Sequence, residues 1–470
     1  MKGRALALLP ILFFPASAAL AARKRPNVIV VDVCSARADH FSVYGYARDT
    51  SPELRRLAGE GVVFDNAVAQ SSWCRPNYAS LFTGDVPEEH GMYTNLPGPL
   101  PPFERPLAER LKEAGYKTAA FSGGVYLIPE FGLSQGFDAY VNLFSTSTAG
   151  RVPASVDDTI APASRWLEKN KGGPFFLYLA VDDMHVPYHS DDPEKYDPGY
   201  SGPVHDPGTL SIPFYRAYNG EETGYSPELK ARAEDFKKDP RNLKHLIAHY
   251  DASLNYTDRR IGDLIRKLKR MGLWKNTVFL VTADHGEMLG EKGLLGHTQG
   301  LYEPVLHVPL LLHHPAFGRL AGRRLSQQVQ RIDLMPTILD FAGADYDPKD
   351  IQGRSILPLL RDPSAPWSPY AFAASKRDLA VLKDLMLDER VVRTARWKLH
   401  HYLYKDRFEL YDLLNDPLET TNVADKHPDV VSELSYQLIS RMEETRPHAP
   451  GPSREVPQPV SLEPPYGPKN

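Results

Sequence analysis

Three apolar runs, each closing on acidic residues, set the tightest limit on how this chain can fold. Val28-Ile29-Val30-Val31 leads into Asp32. Phe175-Phe176-Leu177-Tyr178-Leu179-Ala180-Val181 leads into Asp182-Asp183, and Thr277-Val278-Phe279-Leu280-Val281-Thr282 leads through Ala283 into Asp284-His285. Apolar runs without polar alternation are buried on both faces, as strands of a parallel sheet covered by helices are. Helical patterns fall between them. Leu107, Leu111 and Ala114 share one face, and Leu254, Ile261, Leu264, Ile265 and Leu268 recur at near-helical spacing within about Leu243 to Met271. The expected fold is α/β, a mixed, mainly parallel sheet flanked by helices. Open sheets of this kind gather ligands beyond the carboxyl ends of their strands. Asp32, Asp284 and His285 are therefore candidates for one site. Spacing alone leaves Asp32 open between a ligand and a turn cap, and Asp182 and Asp183 read as a solvated loop.

The stretch Ser71 to Gly84 carries the second signal. Pro76 suits the first turn of a helix, so Cys74 is expected just ahead of a helix running to about Phe82, with Gly84 ending it. A nucleophile there meets unpaired N–H groups and the positive end of the helix dipole. A lone cysteine in such a place also reads as an ordinary buried side chain.

Cys74, Pro76, Leu81, Thr83 and Gly84 resemble the signature of the sulfatase family, Cys-x-Pro-x-Arg followed by Leu-x-Thr-Gly, with Tyr78 where the family has arginine. Pro26-Asn27 with Asp32, Arg37-Ala38-Asp39-His40 displaced by two residues around Cys34, His185-Val186-Pro187, Asp284-His285-Gly286, Gly296-His297 and Asp333 to Leu339 follow in family order. The resemblance runs from Pro26 to about Glu444. It implies an alkaline-phosphatase-like fold and a divalent metal on Asp32, Cys74, Asp284 and His285. Calcium is the family's usual ion, and the imidazole makes manganese or a similar metal suitable. It also implies oxidation of Cys74 to formylglycine, whose hydrate is the nucleophile. His185 and His297 would bind substrate and protonate the leaving group, with Tyr78 lining the pocket. The Lys-x-His that family members often carry after the strand near Phe121 is replaced by Ser122-Gly123-Gly124-Val125-Tyr126.

Lys2 and Arg4, an apolar stretch from Ala5 to Leu20 and the small-x-small site Ala19-Leu20-Ala21 read as a secretory signal over 1–21. The expected destination is secreted or periplasmic, and no later stretch is apolar enough to span a membrane. A large domain is expected over 22–346, a small α+β subdomain with an antiparallel sheet over 347–445, and a proline-rich tail over 446–470. Residues 189–245 read as an insertion over the site. A formal charge of −4 argues against a nucleic-acid partner. The two cysteines, Cys34 and Cys74, allow one bridge, which needs Cα atoms within roughly 7 Å. The expected reaction is metal-dependent hydrolysis of a sulfate ester on a small molecule or glycan. A phosphodiester or phosphonate monoester hydrolase of the same superfamily, or a non-catalytic binding protein on this fold, are the alternatives.

Overall fold

The computed structural model describes residues 25–445 except 96–97, 148–149, 153, 207, 222–224, 319 and 377–387. The signal sequence over 1–21 and the tail over 446–470 lie outside the described residues. Strands and helices are numbered here in chain order. The main sheet is built from β1 (Asn27–Val33), β2 (Val62–Val68), β3 (Lys117–Ser122), β4 (Ala139–Asn142), β5 (Phe175–Val181), β6 (Thr277–Thr282), β7 (His307–His313) and β8 (Arg323–Gln330). Their spatial order is β8-β2-β7-β6-β1-β5-β3-β4. β1 sits at the centre, parallel to β5 on one side and β6 on the other, with Asp32 opposite Ala180 and Thr282. β7 alone among these eight runs against its neighbours. The sheet is thus mixed and mainly parallel, as expected. Every residue of β1, β5 and β6 is buried, which is why their sequences carry no alternation.

Helices cover the sheet, among them α1 (Pro52–Glu60), α2 (Cys74–Thr83), α3 (Val156–Asn170), α4 (Ile212–Tyr218), α5 (Pro227–Lys238), α6 (Pro240–Arg270) and α7 (Leu334–Ala342). The segment expected as an insertion supplies α4 and α5 and leads into α6. Among the described residues no helix is long and apolar enough to cross a membrane.

A second, antiparallel sheet follows, β9 (Ala371–Lys376), β10 (Asp388–Arg393), β11 (Trp397–Tyr402) and β12 (Arg407–Asp412), paired in that order. Helix α8 (Pro428–Glu444) packs Leu434 and Leu438 onto Val392, Leu399 and Leu410. The sheet docks beside the signature loop. Ala374 N–H donates to the Gln70 carbonyl at 2.8 Å, and the Ser72 and Ser375 hydroxyls meet at 3.0 Å. Deeper in the seam, Arg393 grips both oxygens of Glu303 at 2.9 Å, and Lys398 adds a third contact at 3.2 Å.

Candidate active site

Helix α2 begins at Cys74 itself, one step earlier than the position of Pro76 suggested. All ten of its residues are buried, and Gly84 ends it in the left-handed region with its N–H on the Ser80 carbonyl at 2.9 Å. Asn77 fixes the loop before it. Its Oδ1 accepts from the Gln70 and Ser71 N–H groups at 2.9 and 3.2 Å, and its amide donates to the Ser71 and Trp73 carbonyls at 2.7 and 3.0 Å. The Cys74 sulfur is therefore presented at a helix start that has little freedom to shift.

The turn beyond β6 brings Asp284 and His285 to the same point. Asp284 Oδ1 accepts the Ser35 and His285 N–H groups at 2.9 and 2.8 Å, while its Oδ2 faces the Cys34 thiol at 3.3 Å. Gly286 lets this turn lie against the next element, for a Cβ there would sit 2.1 Å from the Pro304 carbonyl oxygen. His285 Nδ1 bonds the Gly286 carbonyl at 2.8 Å, which turns Nε2 toward the Cys74 sulfur, 3.2 Å away. Burial opposes a charge on His285, but the Asp284 carboxylate outweighs it and raises the pKa. His297 pairs its Nδ1 with Glu287 Oε2 at 2.8 Å. Burial opposes its charge too, yet Glu287 and then Cys74 lift its pKa to about 10. His185, whose Nδ1 meets the Val186 carbonyl at 2.9 Å, stands half-buried beside it, ring centroids 5.4 Å apart.

Two clusters result. The donor atoms of Cys34, Cys74, Asp284 and His285 all lie within 4.8 Å of one another, and so do those of Cys74, His185 and His297. Cys74 belongs to both. Cys34 and Cys74 are free thiols rather than a bridge. Burial resists ionisation of Cys74, but the Cys34 hydrogen bond and the His285 charge hold its pKa well below the usual thiol range. Cys34 is pushed the other way, first by burial and then by its contact with Cys74.

Asp32, expected as a metal ligand, does not join the cluster. It is a residue of β1 rather than the one beyond its end, and Arg331 takes its carboxylate with Nη1 at 3.2 Å and Nη2 at 2.8 Å. Tyr178 donates to the same group at 2.7 Å. Both members of the ion pair are about 1 % exposed. The side chain that stands at the strand end is Cys34, two residues on and on the same face. Reading two extra residues around Cys34 hid this; the length of the strand from Asn27 was the available signal. Arg331, 299 residues away from Asp32, left no sequence signal at all.

Removing one partner of a buried pair leaves the other charge stranded, at a cost of about 3–5 kcal/mol. Asp32→Ala should therefore lower unfolding stability by roughly that amount while leaving bound metal unchanged, as urea titration and elemental analysis would read. Loss of metal with little loss of stability would return Asp32 to the ligand set.

Asp182, read from the sequence as part of a solvated loop, is 5 % exposed, and Asp183 is 2 % exposed. Gly124 makes room for Asp182, since a Cβ there would lie 2.3 Å from its Oδ2. That oxygen has no hydrogen-bond partner among the described residues. Burial, followed by the charges of Cys74 and Asp284, raises the Asp182 pKa well above the carboxylate range. Tyr78 is buried in α2, and burial, then Asp284, holds its phenol neutral.

A buried carboxylate with an orphaned oxygen beside a second carboxylate and two thiols is an environment that a cation relieves. The donor chemistry fits a metal ion, but not calcium, which takes six to eight oxygens. Two sulfurs, one imidazole and one carboxylate suit a four-coordinate, borderline-soft ion.

Comparison with known proteins gives the fold and the family. The canine protein arylsulfatase K (Canis lupus familiaris) is 27% identical over 459 residues, covering 88% of this chain and 82% of its own. A structure in complex with its substrate D-glucosamine-2-N,6-O-disulfate superimposes with a TM-score of 0.68 at 22% identity, over 89% of this chain and 98% of that one. The phosphonate monoester hydrolase of Agrobacterium radiobacter shares the fold, with a TM-score of 0.71 at 22% identity over 90% and 96% of the two chains. Residues 290–448 match the model of the N-sulphoglucosamine sulphohydrolase C-terminal region. Residues 26–344, which hold the signature helix and the four clustered donors Cys34, Cys74, Asp284 and His285, match the sulfatase model, and the chain belongs to the sulfatase family of hydrolases.

Proposed function

We propose that the protein hydrolyses a sulfate monoester carried by a sugar or another small alcohol, with position 74 as the nucleophile. The carrying observation is the convergence on Cys74 of a helix N-terminus, His285 and His297. Likeness to arylsulfatase K supports sulfate as the group attacked. Converted to formylglycine, position 74 would supply a geminal diol that can accept a sulfuryl group and later expel sulfate by C–O cleavage. A metal held by Cys34, Asp284 and His285, with position 74 as the fourth neighbour, would supply positive charge for the non-bridging oxygens. Zinc fits this set best.

The chain's own residues supply the rest. His297 stays protonated because Glu287 holds its Nδ1, so it can deliver a proton to the departing alkoxide. His185 stands at the outer side of the cluster and offers a donor to the sulfate. Tyr78 offers a neutral phenol where an arginine would add a charge. Helix α4 bears on both histidine loops, for Tyr215 donates to the Tyr188 hydroxyl at 2.7 Å and Asn219 exchanges hydrogen bonds with Leu295 at 2.8 Å. That placement supports a role for the 189–245 segment in substrate choice. The reading of residues 1–21 as a secretory signal supports a place outside the cytoplasm.

A phosphonate monoester hydrolase is the second reading, favoured by the imidazole in the donor set and by the shared fold. Turnover of paired aryl sulfate and aryl phosphonate esters by the exported protein decides between them. Sulfate should be cleaved preferentially, and preference for the phosphonate overturns the sulfatase reading.

Glu287→Gln tests the assigned acid. A general acid acts only below its pKa, and the Glu287 carboxylate is what raises that of His297. The alkaline limb of kcat against pH should therefore move to lower pH in the variant. An unmoved limb would mean that another group donates the proton.

A further inference from the structure

Away from the catalytic cluster, the segment that follows the His185 loop is fastened to helix α6 by an unusual group of side chains. His245 and His249 stand one turn apart on α6, so they project from one face. The donor atoms of Glu194, His245 and His249 lie within 4.8 Å of one another. His245 is the centre of the group. Its side chain is fully buried, and its Nδ1 pairs with Asp197 Oδ2 at 3.1 Å. Tyr200 stacks on the ring, centroids 3.9 Å apart and planes 13° from parallel, and is itself anchored by its hydroxyl on Asn242 Oδ1 at 2.6 Å. The other nitrogen, Nε2, has no hydrogen-bond partner among the described residues. It points toward Glu194 Oε1 at 3.6 Å.

We propose that Glu194, His245 and His249 form a second metal site, for zinc, that clips the 189–205 segment onto α6. The arrangement around His245 is the one metal-bound histidines adopt. A carboxylate on one ring nitrogen fixes the tautomer and orientation, and the second nitrogen is left to the metal. Zinc–nitrogen bonds of about 2.0–2.1 Å at tetrahedral angles put neighbouring donors roughly 3.4 Å apart, close to the 3.6 Å between His245 Nε2 and Glu194 Oε1. His205 faces the same Glu194 oxygen, its Nδ1 also 3.6 Å from Oε1, its ring centroid 5.2 Å from that of His245 and its Nε2 on the Tyr200 carbonyl at 2.8 Å. It is the nearest further donor. Two imidazoles and a carboxylate match zinc and fall far short of the oxygen count of calcium.

The site is independent of the catalytic reading, because none of its residues belongs to that cluster. It is tested in the full mature chain carrying Cys34→Ser, which weakens the catalytic cluster's hold on metal. Zinc is titrated against a chromophoric chelator, and bound zinc is counted after dialysis. One zinc per chain should remain. Adding His249→Ala should weaken that zinc at least tenfold, and Glu194→Gln should do the same. Cobalt in place of zinc should give the absorption bands of a tetrahedral nitrogen and oxygen site, and these should vanish in the His249→Ala chain. His249 is only half-buried, so its loss should leave the circular dichroism of the metal-free chain unchanged. Equal zinc affinity with and without His249 and Glu194 overturns the proposal.

Discussion

Under the zinc proposal, Cys34→Asp should move the metal preference of the site toward calcium or magnesium. Cys34 Sγ lies 3.3 Å from Asp284 Oδ2, so a carboxylate in its place enters the same donor cluster without moving the backbone. The exchange replaces a soft sulfur with hard oxygens. Loss of an outer-shell partner already costs about 10–100-fold in metal affinity, and loss of a direct thiolate ligand should cost zinc at least as much. Calcium affinity should rise in the same variant, because the oxygen count grows. Elemental analysis of protein dialysed against equimolar zinc and calcium reads the outcome. Retention of zinc at the native level by the variant would show that Cys34 is not a ligand.

The second large effect belongs to Cys74. Cys74→Ala removes the one side chain shared by both clusters while leaving α2, whose start is fixed by Asn77, intact. Turnover should fall by a factor on the order of 10⁶, the loss seen when a covalent nucleophile is removed from a serine protease. Stability should change little, because a small buried side chain becomes a slightly smaller one. Intact mass with an aldehyde-reactive probe on the unmodified sequence should show formylglycine at this position. Unchanged turnover in Cys74→Ala, with only thiol found at position 74, would point to a non-catalytic member of the family.

How far the sequence could be read varied with the range of the interactions. Phe175 to Val181 and Thr277 to Thr282 were legible to the residue, because burial on both faces leaves an unbroken apolar run. The first strand was legible in kind but not in its end. That one-step difference put Asp32, whose carboxylate Arg331 and Tyr178 hold, at the strand end in place of Cys34. Asp182 looked solvated because paired acids in a loop usually are. What buries it is the absence of a Cβ at Gly124, a contact across more than fifty residues of chain. Strand β9 escaped notice because its alanines carry little strand preference. The pairing of His297 with Glu287 spans ten residues through a tight turn, and no periodicity announces it.

Glu303 gives the two sheets a common fate. It opens the short helix Glu303–Leu306 that leads into β7, yet its charge is answered from β10 by Arg393 and from β11 by Lys398. Burial alone would push such a carboxyl up, but these two cations hold it far below its usual range. A chain cut at residue 346 would keep the carboxylate and lose both cations. The seam that looks like a boundary in the sequence is thus an electrostatic debt shared across it. Neither part has a complete interior without the other, and a lesion in the smaller sheet is felt at the strand that borders the catalytic turn.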